Sequence, residues 1–282
     1  MAFTALISPA DLTAHLDDAD LVILDARFTL DDEQWGKAAY AAGHIPGARQ
    51  ADLADDLAGP IIAGVTGRRP FPDPADFATR LSAWGVGPAT QVVAYDAENG
   101  LMAASRVWLM LRWMGHDNVA VLDGGVNAWL AEGGAMTTTA PHPAPADFRP
   151  RVRPELLASV EEVDAARMAA PVRVFDSRGA DGYHGLGKYH DPVRGHIAGA
   201  GLADRAETTG PDGRWRSSED LEAHFRGLIG GLDPSEVIFY CGSGVTAAQN
   251  LLGMTIAGLD GARMYVGSWS EWITDPSRPV ER

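Results

Sequence analysis

The chain has 282 residues, enough for one large domain or two of ordinary size. Hydrophobic residues make up 46% of it and charged residues 22%, a balance typical of a globular protein that buries a core. The formal net charge of -15 argues against nucleic acid as a partner, because a phosphate backbone would be repelled by most of such a surface. An anionic small molecule would need local positive potential from arginines or a helix N-terminus.

The N-terminus and the single cysteine bear on the cell compartment. No apolar run of about 18 residues occurs, so the sequence predicts no membrane span. The first residues, "MAFTALISPADL", lack a basic segment followed by an apolar core, which predicts no secretory signal and a cytoplasmic location. One cysteine cannot form an internal disulfide, and this fits a reducing compartment.

The predicted elements alternate between short buried strands and longer amphipathic helices. A helix is expected after Ser8, its N-cap, with Pro9 at the first helical position. Later in the chain, Ser218 is the expected cap of a helix with acidic residues in its first turn. Strands are predicted in "LVILDA", "QVVAYD" and "VAVLDG", and a helix in "AASRVWLMLRWMG". This alternation predicts an α/β fold with a mostly parallel sheet covered by helices on both faces.

The second half of the sequence repeats the first at a nearly constant offset. We therefore predict two copies of one domain, residues 1–136 and 151–282, joined by an extended linker at 137–150 that is rich in Pro, Ala and Thr. The matched segments are "VILDAR" with "RVFDSR", "GHIPGA" with "GHIAGA", "VVAYD" with "VIFYC", and "DGGVNAW" with "VGSWSEW".

The only cysteine, Cys241, is predicted to follow a strand and to precede a helix. In open parallel sheets, ligands bind beyond the carboxyl ends of the strands. The glycines of the following loop, "CGSGVT", allow several backbone N–H groups to converge and lower the thiol pKa. The alternative is a buried, inert cysteine. The matching residue in the first copy is Asp96, which is no sulfur nucleophile, so we predict that only the second copy is active.

Together, the paired "GHI" turns, the Asp96/Cys241 difference, "CGSGVTA" and "GSWSEW" resemble the two-domain rhodanese-like sulfurtransferases over nearly the whole chain. The resemblance implies two tandem rhodanese-like domains, of which the N-terminal one is catalytically silent. It also implies that Cys241 takes a sulfane sulfur from a donor as a persulfide. The sulfur then passes to a thiol, cyanide or a reduced redox protein. The implied cradle of the sulfur consists of Gly242, Ser243, Gly244, Val245 and Thr246.

The residues after the cysteine bear on the sulfur donor. Thiosulfate sulfurtransferases of this family typically carry basic residues there, whereas this chain has Gly242 and Ser243 and resembles the 3-mercaptopyruvate type. In that type a serine is proposed to assist the chemistry, and the alternative for Ser243 is a turn-stabilising hydroxyl. The arginine expected four residues beyond Arg178 is replaced by Gly182. The remaining candidates for binding the anionic donor are Arg178, His184, Lys188, Arg194 and Arg69.

The sequence supports other enzyme classes less well than it supports a sulfurtransferase. A cysteine phosphatase or arsenate reductase needs a Cys-x5-Arg loop, but position 247 is alanine. A thiosulfate sulfurtransferase and a non-catalytic persulfide carrier for a protein partner stay open.

No metal-binding or phosphate-loop motif is evident, and we predict no cofactor. The histidines of the "GHI" turns and the paired Asp and Arg of "DAR" and "DSR" occur in both copies, which indicates structural roles. Trp269 of "GSWSEW" could face Cys241.

Overall fold

A computed structural model describes residues 2–97, 102–171, 173–186 and 190–282. The chain divides into two compact units. The first consists of residues 1–59 and 71–153, and the second of residues 60–70 and 154–282. Residues 60–70 therefore belong to the second unit although they lie in the first half of the sequence.

In the part of the first unit that the structure describes, five strands and five helices alternate. The strands are β1 (Leu6–Ile7), β2 (Leu21–Asp25), β3 (Ala48–Gln50), β4 (Gln91–Tyr95) and β5 (Val119–Leu122). The helices are α1 (Pro9–His15), α2 (Trp35–Ala42), α3 (Pro74–Ala83), α4 (Ala103–Trp113) and α5 (Gly125–Ala131). The sheet order is β1-β5-β4-β2-β3, and all of these pairings are parallel.

The sequence explains why the elements of the first unit form where they do. Strands β4 and β5 consist almost entirely of buried apolar residues, as expected where helices cover both faces of a parallel sheet. Helix α1 begins as predicted, because the Ser8 hydroxyl accepts a hydrogen bond from the Asp11 N–H and Pro9 stands at the first helical position. The predicted linker, residues 137–150, packs on this unit through backbone bonds from Thr137 to His44 and from Ala146 to Ser82.

The described part of the second unit repeats the same plan with shorter strands. The strands are β6 (Val174–Asp176), β7 (His196–Ile197), β8 (Gly201–Leu202), β9 (Ile238–Tyr240), β10 (Arg263–Met264) and β11 (Val280–Glu281). The helices are α6 (Val160–Ala166), α7 (Ala180–Tyr183), α8 (Ser218–Ile229), α9 (Ala247–Ile256) and α10 (Ser268–Trp272). A parallel sheet runs in the order β10-β9-β6-β8, and β11 pairs antiparallel with β7. These two sheet-and-helix units confirm the predicted α/β fold class.

One predicted cap is wrong by a single residue. Helix α8 is capped by Ser217, whose hydroxyl accepts from the Asp220 N–H, whereas Ser218 is the first helical residue. Two adjacent serines have the same capping chemistry, so the sequence alone does not choose between them.

The repeated Asp and Arg form the same brace in both units. In the first unit, Arg27 donates through Nε and Nη2 to the Asp25 carboxylate and through Nη2 to the carbonyl before the "GHI" histidine. In the second unit, Arg178 makes the equivalent bonds to Asp176 and to the matching carbonyl. A device present in both units is explained by the fold, which confirms the structural role predicted for these pairs.

The two "GHI" histidines are also structural. His44 stacks on Tyr40 with ring centroids 3.9 Å apart, and its Nδ1 lies 2.9 Å from the Tyr40 carbonyl oxygen. His196 stacks on Tyr183 at 3.6 Å, with Nδ1 2.9 Å from that residue's carbonyl oxygen. The same stacking in both units, with and without a cysteine, confirms the prediction from the repeat.

Candidate functional site

Cys241 lies directly after β9, in the position that Asp96 has after β4 of the first unit. Its side chain is buried. The loop that follows is tied to the start of α10, because the Trp269 and Ser270 N–H groups donate to the carbonyl oxygens of Cys241 and Gly242 at 3.0 Å. Gly244 has a φ of 79°, and a Cβ there would overlap the Val266 carbonyl oxygen. Only glycine fits that position, so its place in "CGSGVT" is fixed by the backbone.

The surroundings of the Cys241 sulfur favour its anionic form. Burial alone raises the thiol pKa, but hydrogen bonds from the Thr246 side chain and from the N–H groups of Ser243 and Ala247 lower it, and the net shift is downward. The Ser268 hydroxyl adds a further lowering contribution. Donors of this kind around a thiol favour a nucleophilic role for the cysteine, and that role stays a prediction here.

Ser243 and the neighbouring residues of "CGSGVT" form the loop between Cys241 and α9. Ser243 is buried, and its effect on the thiol pKa comes through its backbone N–H. Val245 is buried in the same loop, and Thr246 stands at the N-cap of α9. A chemical role for the Ser243 hydroxyl stays a prediction.

Ser268 is a residue of this environment that the sequence interpretation missed. Its Oγ accepts from the Cys241 N–H at 3.1 Å and lies 3.8 Å from Sγ, and its hydroxyl also lies 2.9 Å from the Tyr265 carbonyl oxygen. Ser268 has a positive φ of 55°, and among the described residues it is the one non-glycine residue with this conformation. Its repeat counterpart, Gly125, has a φ of 57°. The exchange of glycine for serine between the matched segments was the signal that could have identified it.

Arg178 borders the cysteine loop while it braces Asp176. A Cβ added to Gly242 would lie 3.9 Å from Arg178 Cδ, and the charge of a Cys241 thiolate contributes to the raised pKa of this arginine. That rise comes against desolvation, which lowers the pKa, and it is led by Asp176. The guanidinium also lies over the Trp269 ring, 5.2 Å from its centroid.

The indole of Trp269 belongs to the core of the second unit. The side chain is fully buried among core residues, and its Nε1 donates to the Val193 carbonyl oxygen at 3.1 Å. Its contact with Cys241 is made by the backbone. The expectation that this tryptophan could face Cys241 stays a prediction, because no described contact joins its indole ring to the thiol.

The other predicted anion-binding residues differ in their positions. His184 is exposed at the C-terminal end of α7, where its ring meets Tyr183 edge-on, and no described contact joins it to Cys241. Lys188 lies outside the described residues. Gly182 lies beside Arg178, because a Cβ there would be 3.1 Å from Arg178 Cβ.

A second arginine beside the loop comes from residues 60–70. The Arg68 N–H donates to Ser270 Oγ at 3.0 Å, and Arg68 Nη2 lies 3.7 Å from the position of a Cβ on Gly242. The guanidinium pairs with the Asp191 carboxylate. The sequence interpretation named the adjacent Arg69 from the family resemblance, and that candidate stays a prediction.

The charge of Arg68 acts on the cysteine. Burial lowers the pKa of this arginine, while the charge of a Cys241 thiolate raises it, and Arg69 and Arg178 lower it further. Backbone N–H groups and hydroxyls thus hydrogen-bond the thiol, and two arginines border its loop at Gly242. Within the ranges that the structure describes, no group of three potential metal ligands occurs, and no helix is both long and apolar enough to cross a membrane.

Comparison with known proteins places this geometry in a family. The model of the rhodanese-like domain matches twice, at residues 8–132 and 159–275. The chain is 43% identical to a probable 3-mercaptopyruvate sulfurtransferase of Pseudomonas aeruginosa, over 99% of each chain. It is 36% identical to a putative thiosulfate sulfurtransferase, SseB, of Mycobacterium tuberculosis, over 98% of this chain and 96% of the relative.

A solved structure agrees with these relatives. The crystal structure of the 3-mercaptopyruvate sulfotransferase SseA from Escherichia coli superposes with a TM-score of 0.80 at 29% identity, and covers 95% of this chain and 100% of that one. The family match over both halves and the 43% identity over the full length confirm the predicted resemblance. The chain belongs to the rhodanese-like family and is a sulfurtransferase with two rhodanese-like domains.

Proposed function

We propose that this sulfurtransferase takes sulfur from 3-mercaptopyruvate and carries it as a persulfide on Cys241. The observation that carries the proposal is a buried thiol whose pKa is lowered by backbone and hydroxyl donors at the end of β9. The thiolate attacks the sulfur of mercaptopyruvate, so an S–S bond forms and the C–S bond breaks. The electron pair of the broken bond leaves with the pyruvate enolate. This enolate takes up the proton that the transferred sulfur loses, which gives pyruvate and an anionic persulfide.

The hydrogen-bond donors around Cys241 would stabilise both its thiolate and the persulfide anion that forms on it. The N–H groups of Ser243 and Ala247 and the hydroxyls of Thr246 and Ser268 surround the thiolate. After transfer, the negative charge is on the outer sulfur, and this group of donors can stabilise it without rearrangement. A thiol, cyanide or a reduced redox protein would then remove the sulfur and restore the thiolate.

The first unit is proposed to be catalytically silent. Its Asp96 stands where Cys241 stands in the second unit, and its carboxylate accepts from the N–H groups of Met102 and Ala104 at 3.0 Å. A fixed carboxylate there takes the place that an anionic sulfur would have at the start of the following helix. The proposed compartment is the cytoplasm, since a single functional thiol suits a reducing environment.

Thiosulfate is the second candidate donor, because the relative from Mycobacterium tuberculosis is named as a putative thiosulfate sulfurtransferase. Gly242 and Ser243 favour mercaptopyruvate, since neither side chain adds charge beside the thiol. A comparison of kcat/KM for the two donors decides between them. A higher value for thiosulfate would contradict the assignment.

Mass spectrometry tests the persulfide directly. After exposure to mercaptopyruvate, we expect a gain of about 32 Da, one sulfur atom, on the peptide that contains Cys241. The Cys241→Ser variant serves as the control and should gain nothing. An unmodified wild-type peptide would contradict the mechanism, whereas a persulfide without turnover to free thiols or cyanide would favour the carrier alternative.

A further inference from the structure

We infer that Glu271 is a positioning residue for the Cys241 thiol, because its side chain holds the turn that places the Ser268 hydroxyl 3.8 Å from the sulfur. The inference rests on the proposed function, since it concerns the reactivity of the cysteine that would carry the sulfur. Glu271 would act through Ser268 and not on the sulfur itself.

The turn at residues 265–270 joins β10 to α10 and touches the cysteine at two points. The Ser268 Oγ accepts from the Cys241 N–H at 3.1 Å, and the same hydroxyl lies 2.9 Å from the Tyr265 carbonyl oxygen. The Trp269 N–H donates to the Cys241 carbonyl oxygen at 3.0 Å. The position of the Ser268 hydroxyl beside the sulfur therefore depends on the conformation of this turn.

The carboxyl group of Glu271 packs on the backbone of the turn. Its Oε2 occupies the place where a Cβ on Gly267 would stand, so the carboxyl group fills the space above that glycine. The Glu271 N–H also donates to the Gly267 carbonyl oxygen at 3.1 Å. The side chain and the backbone of one residue thus hold the same glycine, directly before Ser268.

Three titratable side chains act on this carboxyl group from the surrounding elements. They are Tyr265 at the end of β10, Arg278 after α10 and Glu161 on α6. Burial raises the pKa of Glu271, Arg278 lowers it and Glu161 raises it, while burial and the charge of Glu271 raise the pKa of Tyr265. Arg278 also donates to the Glu271 carbonyl oxygen at 3.0 Å. The carboxyl group therefore connects the end of β10 with the residues that follow α10.

The first unit contains the same turn and serves as a comparison. Its Val126 N–H donates to the Asp96 carbonyl oxygen at 3.0 Å, as the Trp269 N–H donates to that of Cys241. These equivalent bonds align the two turns residue by residue, at an offset of 269−126=143.

The aligned turns differ at the residues that hold them. Leu122 stands in place of Tyr265, and Ala128 in place of Glu271, and both of these apolar residues are buried. Burying a carboxyl group costs free energy, and the first unit forms the turn without one. The fold therefore does not require the tyrosine and the glutamate. They occur in the unit whose turn brings a hydroxyl to a thiol, which is why we assign them to that task.

Alkylation of the full chain with iodoacetamide as a function of pH tests the assignment. Glu271→Ala should raise the Cys241 pKa by about half a unit or more, because a loosened turn withdraws the Ser268 hydroxyl from the sulfur. Persulfide formation near pH 7 should slow about threefold, and the KM for mercaptopyruvate should stay within about twofold. Glu271→Gln keeps the size of the side chain and should lie between Glu271→Ala and wild type. Glu222→Ala, at an exposed position of α8, is the control and should match wild type.

A double variant separates positioning from folding. Tyr265→Leu with Glu271→Ala gives the second unit the residues of the first. It should fold, because the first unit packs the same leucine and alanine at this turn. Its Cys241 pKa should rise at least as far as that of Glu271→Ala, whereas a purely structural role would leave the thiol unchanged in the folded protein. Urea unfolding confirms that each variant is folded.

Each outcome decides for or against the inference. An unchanged or lowered Cys241 pKa in either folded variant overturns it, and so does an equal rise in Glu222→Ala. A double variant that cannot fold also overturns it, because the fold would then require the pair. If Glu271→Ala alone does not fold, the double variant carries the test. Alkylation needs no sulfur donor, so a wild type that forms no persulfide from mercaptopyruvate would refute the proposed function and leave this test intact.

Discussion

At the scale of single residues, Ser268 stands out because it adopts a backbone conformation that favours glycine. Its counterpart Gly125 has nearly the same φ and no cysteine to serve. A side chain at positive φ costs about 1 kcal/mol or more. The second unit accepts this cost, and the serine hydroxyl gains contacts with both the N–H and the sulfur of Cys241.

Two substitutions at Ser268 separate strain from chemistry. Both Ser268→Gly and Ser268→Ala should raise the Cys241 pKa, because each removes a hydroxyl that favours the thiolate. The glycine variant should be more stable than the alanine variant by about 1 kcal/mol, since only glycine relieves the positive φ. Urea unfolding measures the stability difference, and iodoacetamide alkylation as a function of pH measures the thiol. Equal stability of the two variants would show that the backbone there is unstrained.

The hydrogen bond from Thr246 predicts how the rate of persulfide formation depends on pH. Its side chain lowers the Cys241 pKa, so Thr246→Val should move the inflection of the persulfide-formation rate to higher pH. The variant should be slower near pH 7 and approach wild type well above both inflections, where the thiol is ionised in either protein. Stopped-flow measurement with excess donor gives the profile. Thr13→Val, on α1 of the first unit, is the matched control, and a similar shift in it would contradict the assignment.

At the scale of elements, the sequence predicted the regular structure better than it predicted which arginine lies beside the Cys241 loop. Strands such as β2 and β4 were found because buried apolar runs are visible in a single sequence. The Cys241 loop was found because its glycines follow such a run. Arg68 was missed because residues 60–70 have no period that reveals which side chain faces inward. Ser217 and Ser218 illustrate the same ambiguity between neighbours of equal chemistry.

A substitution at Gly67 tests whether the packing of residues 60–70 positions Arg68 beside the Cys241 loop. The substitution Gly67→Ala places a methyl group against the Gly267 carbonyl and the Ser270 hydroxyl, so the segment must shift. We expect a raised KM for mercaptopyruvate, because the shift moves Arg68 away from the Cys241 loop. The pH profile of Cys241 alkylation should not change, because the hydrogen-bond donors around the sulfur lie outside residues 60–70. Gly227→Ala on α8, where a Cβ meets nothing within 4 Å, is the control and should leave KM unchanged. An unchanged KM in both variants would show that the segment does not position Arg68.

At the scale of the whole molecule, the same fold occurs twice in tandem. Both units contain the arginine brace and the stacked histidine, and they differ at the strand end, where one has a carboxylate and the other a thiol. This difference was predictable from the repeat because each copy acts as a control for the other. The fold could be derived in the same way, whereas the choice of donor depends on contacts that the repeat does not contain.

The carboxylate of the first unit should matter for stability alone. Asp96→Asn weakens the bonds to the N–H groups of Met102 and Ala104 and should lower the free energy of unfolding by about 1–3 kcal/mol. Persulfide formation on Cys241 in the folded protein should remain at the wild-type rate. Chemical denaturation and single-turnover kinetics measure the two quantities. A slower sulfur transfer at full folding would assign Asp96 a part in the reaction.

The membership of residues 60–70 in the second unit limits how freely a duplicated protein can be taken apart. A fragment that begins at residue 151 would keep Cys241, its loop and the helix that follows, and would therefore keep a reactive sulfur. It would lack Gly67 and Arg68, whose backbone packs against Gly267 and Ser270, so it should be less stable than the second unit is in the full chain. In recombination or protein engineering, a cut at the repeat boundary would therefore divide the second unit, because residues 60–70 lie on the other side of that boundary.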